Sequence, residues 1–167
     1  MSCLLKILAI LASLFVMAGC GAHNYTNMKY TDIAEYPNRY AAFDYKYAWK
    51  TDNTDHGILI EGLLKNVRYT YIDSVLMTVN ILDKNGRIVA KAADFPMPQR
   101  SGDGDVSYFS LLLRDVKPAP GNILEFQVHY KGNEGGSGVD WHRSFKVDAM
   151  TGIAIRPPSK YKYLNNW

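Results

Sequence analysis

Between Phe43 and Asp148 apolar residues recur at every second position in segment after segment, a period that belongs to strands lying half against a core. Phe43, Tyr45, Tyr47 and Trp49 alternate with Asp44, Lys46, Ala48 and Lys50. From His56 to Asn66, Ile58, Ile60, Gly62 and Leu64 share one side, and from Ser74 to Leu82 the apolar face is Val75, Met77, Val79 and Ile81. Asp83-Lys84-Asn85-Gly86 then supplies a turn, because Asn-Gly tolerates the positive φ of tight hairpins, and Arg87 to Ala93 returns as the partner strand. Pro96 and Pro98 end that pairing, since proline donates no ladder hydrogen bond.

Three further segments complete the series. Val106 to Arg114 carries Phe109, Leu111 and Leu113 opposite Tyr108, Ser110 and Leu112. Ile123 to Tyr130 points Leu124, Phe126, Val128 and Tyr130 inward, and Trp141 to Asp148 points Phe145 and Val147 inward after a glycine-rich loop from Lys131 to Gly138. Space filling accounts for Trp49, Tyr130 and Trp141 as core residues. About seven strands with turn signals between them, and no long amphipathic helix, predict an all-β fold: an immunoglobulin-like or fibronectin-like antiparallel β-sandwich over residues 43–149. A closed barrel is the alternative.

The two ends of the chain read differently. Lys6 precedes an apolar run from Ile7 to Met17, too short for a bilayer span of about 20 residues, and small residues lead to Cys20. Met17-Ala18-Gly19-Cys20 resembles a bacterial lipobox, with Met17 where Leu is usual. The resemblance implies that residues 1–19 are a signal peptide and that Cys20 is acylated, anchoring the chain to a membrane of the cell envelope. Gly21, rather than Asp, follows the cysteine, as in lipoproteins sorted to the outer membrane. Residues 20–42 lack any sustained period and read as a tether, with aromatics able to pack along the domain. Residues 150–167 form a basic, aromatic tail that Pro157-Pro158 predicts to be extended.

Loss of the signal removes Cys3 and Lys6, so the formal charge falls from +3 to +2 and Cys20 is the remaining cysteine. No disulfide, thiolate metal site or thiol nucleophile is then expected, and so weak a cationic bias argues against nucleic acid. A chain that is 47% apolar has ample material for a core.

Gly62-Leu63-Leu64-Lys65-Asn66, followed by Val75 to Asp83 and Lys84-Asn85-Gly86-Arg87-Ile88-Val89, resembles the bacterial immunoglobulin-like family FxLYD. That family carries a Gly-x-x-x-Asn segment and later an aliphatic-Tyr-Asp-x-x-Gly turn; this chain has Val79, Leu82 and Asp83 where the family's name puts Phe, Tyr and Asp. The resemblance implies a non-catalytic module on an envelope protein and carries over no site residues.

Chemistry-bearing motifs are scarce. The sequence has no Gly-x-Ser-x-Gly elbow, His-Glu-x-x-His, P-loop or dinucleotide fingerprint, and the expectation is a protein without catalytic residues or cofactor. A hairpin symmetric about the glycine-rich loop sets Tyr130 opposite Trp141, Phe126 opposite Phe145, and His129 opposite His142. Two imidazoles at that spacing are candidate zinc or copper ligands, with Asp140 or Glu125 as a third; solvated histidines are the simpler account. Asp83, Asn85, Asp103 and Asp105 offer oxygen-rich loops but no twelve-residue calcium pattern, and turn chemistry explains them. Tyr161, Tyr163 and Trp167 in the tail are candidates for partner contact. The function these features predict is contact with another envelope protein, with binding of a glycan or small ligand as the alternative.

Overall fold

A computed structural model describes residues 33–133, 136 and 138–155. Within them the chain forms eight strands in two antiparallel sheets: β1 (Asn38–Ala41), β2 (Tyr45–Thr54), β3 (Gly57–Asn66), β4 (Tyr71–Leu82), β5 (Ile88–Asp94), β6 (Val106–Arg114), β7 (Ile123–Asn133) and β8 (Val139–Asp148). One sheet has the order β1-β2-β3-β6 and the other β5-β4-β7-β8. Hairpins β2–β3, β4–β5 and β7–β8 stay within a sheet, whereas the chain crosses between sheets after β3, β5 and β6. This is an immunoglobulin-like Greek-key sandwich with β1 added at one edge.

The alternating side chains meet between the sheets as expected. Tyr45, Tyr47, Trp49, Ile58, Ile60, Leu64, Phe109, Leu111 and Leu113 from the first sheet pack on Met77, Val79, Ile81, Leu124, Phe126, Val128, Phe145 and Val147 from the second. At the centre Phe126 and Phe145 stack with ring centroids 4.8 Å apart, and Trp49 tilts against Phe126 at 5.0 Å. At Asp83-Lys84-Asn85-Gly86 the Asp83 carboxylate accepts the amides of Asn85 and Arg87, and Gly86 takes φ +78°, which is why glycine serves there.

Three expectations are corrected. The stretch read as a tether contains a 3-10 turn at Ile33–Glu35 and the strand β1, and Tyr36 and Ala41 are buried. Strand β4 starts at Tyr71, not Ser74, because a bulge between Asp73 and Leu76, with Ser74 at φ 54°, shifts the alternation by one residue. That shift lets Ile72 and Val75 both face the core. Past β8 the chain turns back at Asp148–Gly152, and Ala154 bridges Val147, so residues 150–155 continue the domain's edge. Residues 1–32 and 156–167, with Cys20, Tyr161, Tyr163 and Trp167 among them, lie outside the described residues.

Candidate functional site

The candidate site lies where the β3–β4 loop reaches the end of β7 and the start of β8. Counting back along β8 from Val147 and Phe145, the same face carries Arg143, Trp141 and Val139. Trp141 therefore lies on the core side, opposite Tyr130, yet is 41% exposed, because at this level the sandwich has opened. The expectation that it fills the core is corrected on that ground.

What closes the opening is polar. Asp44, just ahead of β2, is buried to 5% exposure. Its Oδ2 accepts hydrogen bonds from the Tyr130 hydroxyl and from Arg143 Nε, the latter at 3.1 Å. Burial and the neighbouring carboxylate push the Tyr130 hydroxyl's pKa up, so it stays a donor. The Asp44 Oδ1 faces Arg68 Nε at 3.7 Å, an ion pair beyond hydrogen-bond distance. Arg68 in turn lies 4.2 Å over the Phe43 ring, and Arg143 lies 5.1 Å over Trp141.

The loop bearing Arg68 is held from below. Asn66 is fully buried; its Nδ2 donates to Thr70 O and Ser101 O, each at 3.1 Å, and its Oδ1 accepts the Arg68 amide at 2.8 Å. Thr70 ties the same loop to the end of β7 through Asn133 O at 2.7 Å. Asp44, Arg68, Thr70, Ile72, Tyr130, Gly132, Val139 and Trp141 line a cleft of about 340 Å³, within the size range of small-ligand sites. Tyr69, between the lining residues Arg68 and Thr70, is 97% exposed, while Arg100 lies 4.6 Å over the Tyr71 ring and pairs with Asp73.

The other sequence candidates resolve more simply. His129 does stand opposite His142, and both are exposed. Of the two candidate third ligands, the Glu125 carboxylate is taken by Asn80, Gln127 and Lys146, and Asp140 stands opposite Lys131. Among the described residues no group of three or more His, Cys, Asp or Glu side chains is placed to hold a metal ion. Asp105 accepts the Gly102 amide within its own loop, as Asp83 does in its turn.

No family model matches this chain, and no curated protein matches it. Among solved structures it is similar to the GAE domain of GGA2p from Saccharomyces cerevisiae, at 9% identity and a TM-score of 0.40, covering 67% of this chain and 96% of that one. The yeast GGA1_GAE domain-P21 structure gives 7% identity and a TM-score of 0.40 over 66% and 97%. A β-glucuronidase from glycoside hydrolase family 2 gives 12% identity and a TM-score of 0.32, over 59% of this chain and 11% of that one.

Proposed function

We propose that this chain is a lipid-anchored, non-catalytic module of the bacterial cell envelope that works by contact with another envelope protein through the open end of its sandwich. The observation that carries this reading is the pairing there of Arg68 and Arg143, each laid on an aromatic ring and both turned to Asp44 of the open cleft. Arginine and large aromatic side chains dominate binding energy at protein interfaces, the aromatics because they bury much area at little entropic cost and arginine because its planar fork makes several hydrogen bonds at once. The lipobox at Met17-Ala18-Gly19-Cys20 supports attachment through Cys20, and confinement to a membrane surface makes a modest affinity effective through local concentration. The FxLYD-like segments agree with an envelope module of this kind, and the tail residues Tyr161, Tyr163 and Trp167 offer a second contact.

Labelled palmitate should enter the wild-type protein in cells and not a Cys20→Ser variant. Crosslinking in intact cells should capture a partner whose yield falls in an Arg68→Ala/Trp141→Ala double variant; capture unchanged by that variant counts against this end as the contact. A glycan is the second reading, favoured by the half-exposed Trp141 ring on the cleft wall. Glycan-array binding that disappears in Trp141→Ala would support it.

A further inference from the structure

We propose that the cleft is a carboxylate-binding subsite whose anchor is Arg68, and that its occupant is an acidic side chain of a partner polypeptide. The inference deepens the reading above and rests on it for the kind of partner. It starts from a charge imbalance. Two guanidinium groups, those of Arg68 and Arg143, share one carboxylate, that of Asp44. Arg143 takes the hydrogen bond, and the Tyr130 hydroxyl takes a second on the same oxygen. Arg68 is left with an ion pair at 3.7 Å, and among the described residues its side chain makes no hydrogen bond. Among the described residues, then, two guanidinium groups meet one carboxylate, and the less satisfied of them carries a planar fork of donors suited to a second.

That fork is also held in place. Phe43 supports its flat face at 4.2 Å, and the Arg68 amide is fixed by the buried Asn66. Little side-chain freedom then remains to be lost on binding, which favours a ligand's affinity. Beyond Arg68 the cleft offers Val139 and the Trp141 ring, both exposed, as an apolar wall for the methylene stem of an acidic residue. Of its other polar side chains, Thr70 Oγ donates to Asn133 O and the Tyr130 hydroxyl donates to Asp44, which leaves the Trp141 indole N–H as the one further donor among the described side chains of the lining. A sugar needs several donors and acceptors for its hydroxyls, so the cleft's chemistry suits an acidic peptide better than a sugar acid.

The test uses the full-length mature chain in detergent micelles. Acetyl-Gly-Glu-Gly-amide, its Gln counterpart, glucuronic acid and inorganic phosphate are each titrated while the Trp141 indole N–H resonance is followed. The Glu peptide should bind with millimolar affinity, and its Gln counterpart should bind about tenfold more weakly. Arg68→Gln should lose about tenfold for the Glu peptide with an unchanged melting temperature, and Arg68→Lys should recover part of it. Equal binding of the Glu and Gln peptides, no binding of either, or indifference to Arg68→Gln would overturn the proposal. Tighter binding of glucuronic acid or phosphate than of the Glu peptide would overturn the peptide assignment. Partner crosslinking in cells separates the two levels. If it survives in Arg68→Gln while no acidic peptide binds, the subsite is wrong and the envelope-contact reading stands. If peptide binding holds but no partner is captured from cells, the reading of the whole protein fails and the subsite remains.

Discussion

Tyr40 of β1 stacks on Phe145 of β8 with ring centroids 4.0 Å apart and planes within 8°, so the first strand of one sheet is fastened to the last strand of the other. Phe145 continues the stack to Phe126 and meets Tyr47 edge-on at 4.8 Å. Residues that precede the alternating region thus complete its aromatic core. Tyr40→Ala should lower stability by about 2 kcal/mol, less than the roughly 3–5 kcal/mol for losing a fully buried aromatic because the ring is only half buried. Urea denaturation should show a lower midpoint with an unchanged slope. A chain beginning at residue 43 should be less stable still, since it loses the whole ladder that pairs Asn38–Ala41 with Lys46–Trp49.

Gly62 sits opposite Trp49 across the β2–β3 ladder, and the Phe109 ring comes down on it. A Cβ there would lie 2.4 Å from the Ala48 carbonyl oxygen, 2.5 Å from Phe109 Cζ and 2.9 Å from Trp49 Cβ. The first of these is backbone and cannot swing aside. Gly62→Ala should therefore cost about 3 kcal/mol, the upper end for overpacking, despite adding one methyl group. A melting temperature unchanged from wild type would show that β2 and β3 can separate more easily than this packing implies.

Alternation made most of the fold legible, and its failures have identifiable causes. Val106–Arg114 is β6 as its pattern predicts, and the inward faces of β7 and of the second half of β8 hold as well. Strand β1 gave no signal because Asn38-Arg39-Tyr40-Ala41 is an edge with little apolar content, held by one stack and a ladder. The start of β4 was hidden by a bulge that reverses parity at Ser74. The candidate site was least legible, since Asp44, Arg68 and Arg143 come from three distant segments and form no motif. One clue did exist. Arg143 falls at an inward position of β8, between Trp141 and Phe145, where a charge requires a buried partner.

On the outer face of the first sheet, the Tyr108 hydroxyl donates to Glu61 Oε1 while Lys50 holds Oε2 at 3.2 Å. The bond from Tyr108, aided by Lys50 and opposed by burial, lowers the Glu61 carboxyl below its ordinary value of 4.5. A carboxyl whose pKa falls on folding stabilises the native state above its unfolded value, and loses that contribution as pH drops through the folded value. Tyr108→Phe should thus cost about 1 kcal/mol at neutral pH, less than the roughly 1.5–3 kcal/mol of a hydrogen bond to a charged group because both groups stay partly solvated. The difference from wild type should shrink below pH 4.5, and NMR titration should find the Glu61 carboxyl moved upward. A difference that grows on acidification would contradict the assignment.

Asp44 organises the mouth of the cleft, so its removal should be felt in stability before it is felt in binding. In Asp44→Ala the Tyr130 hydroxyl and Arg143 Nε both lose their acceptor on the inner face. The cost should be about 3 kcal/mol, at the low end for breaking a buried pair because Arg143 reaches partly into solvent. Most of that cost is the desolvation of the groups left behind rather than the strength of the bonds. Removing a partner as well should therefore recover some of it: Asp44→Ala/Tyr130→Phe should be more stable than the sum of the single losses by about 1 kcal/mol. A double-mutant cycle by thermal or urea denaturation measures this directly. Strict additivity would mean that water replaces Asp44 at no cost, and the mouth would then be wetter than the 5% exposure of that carboxylate implies.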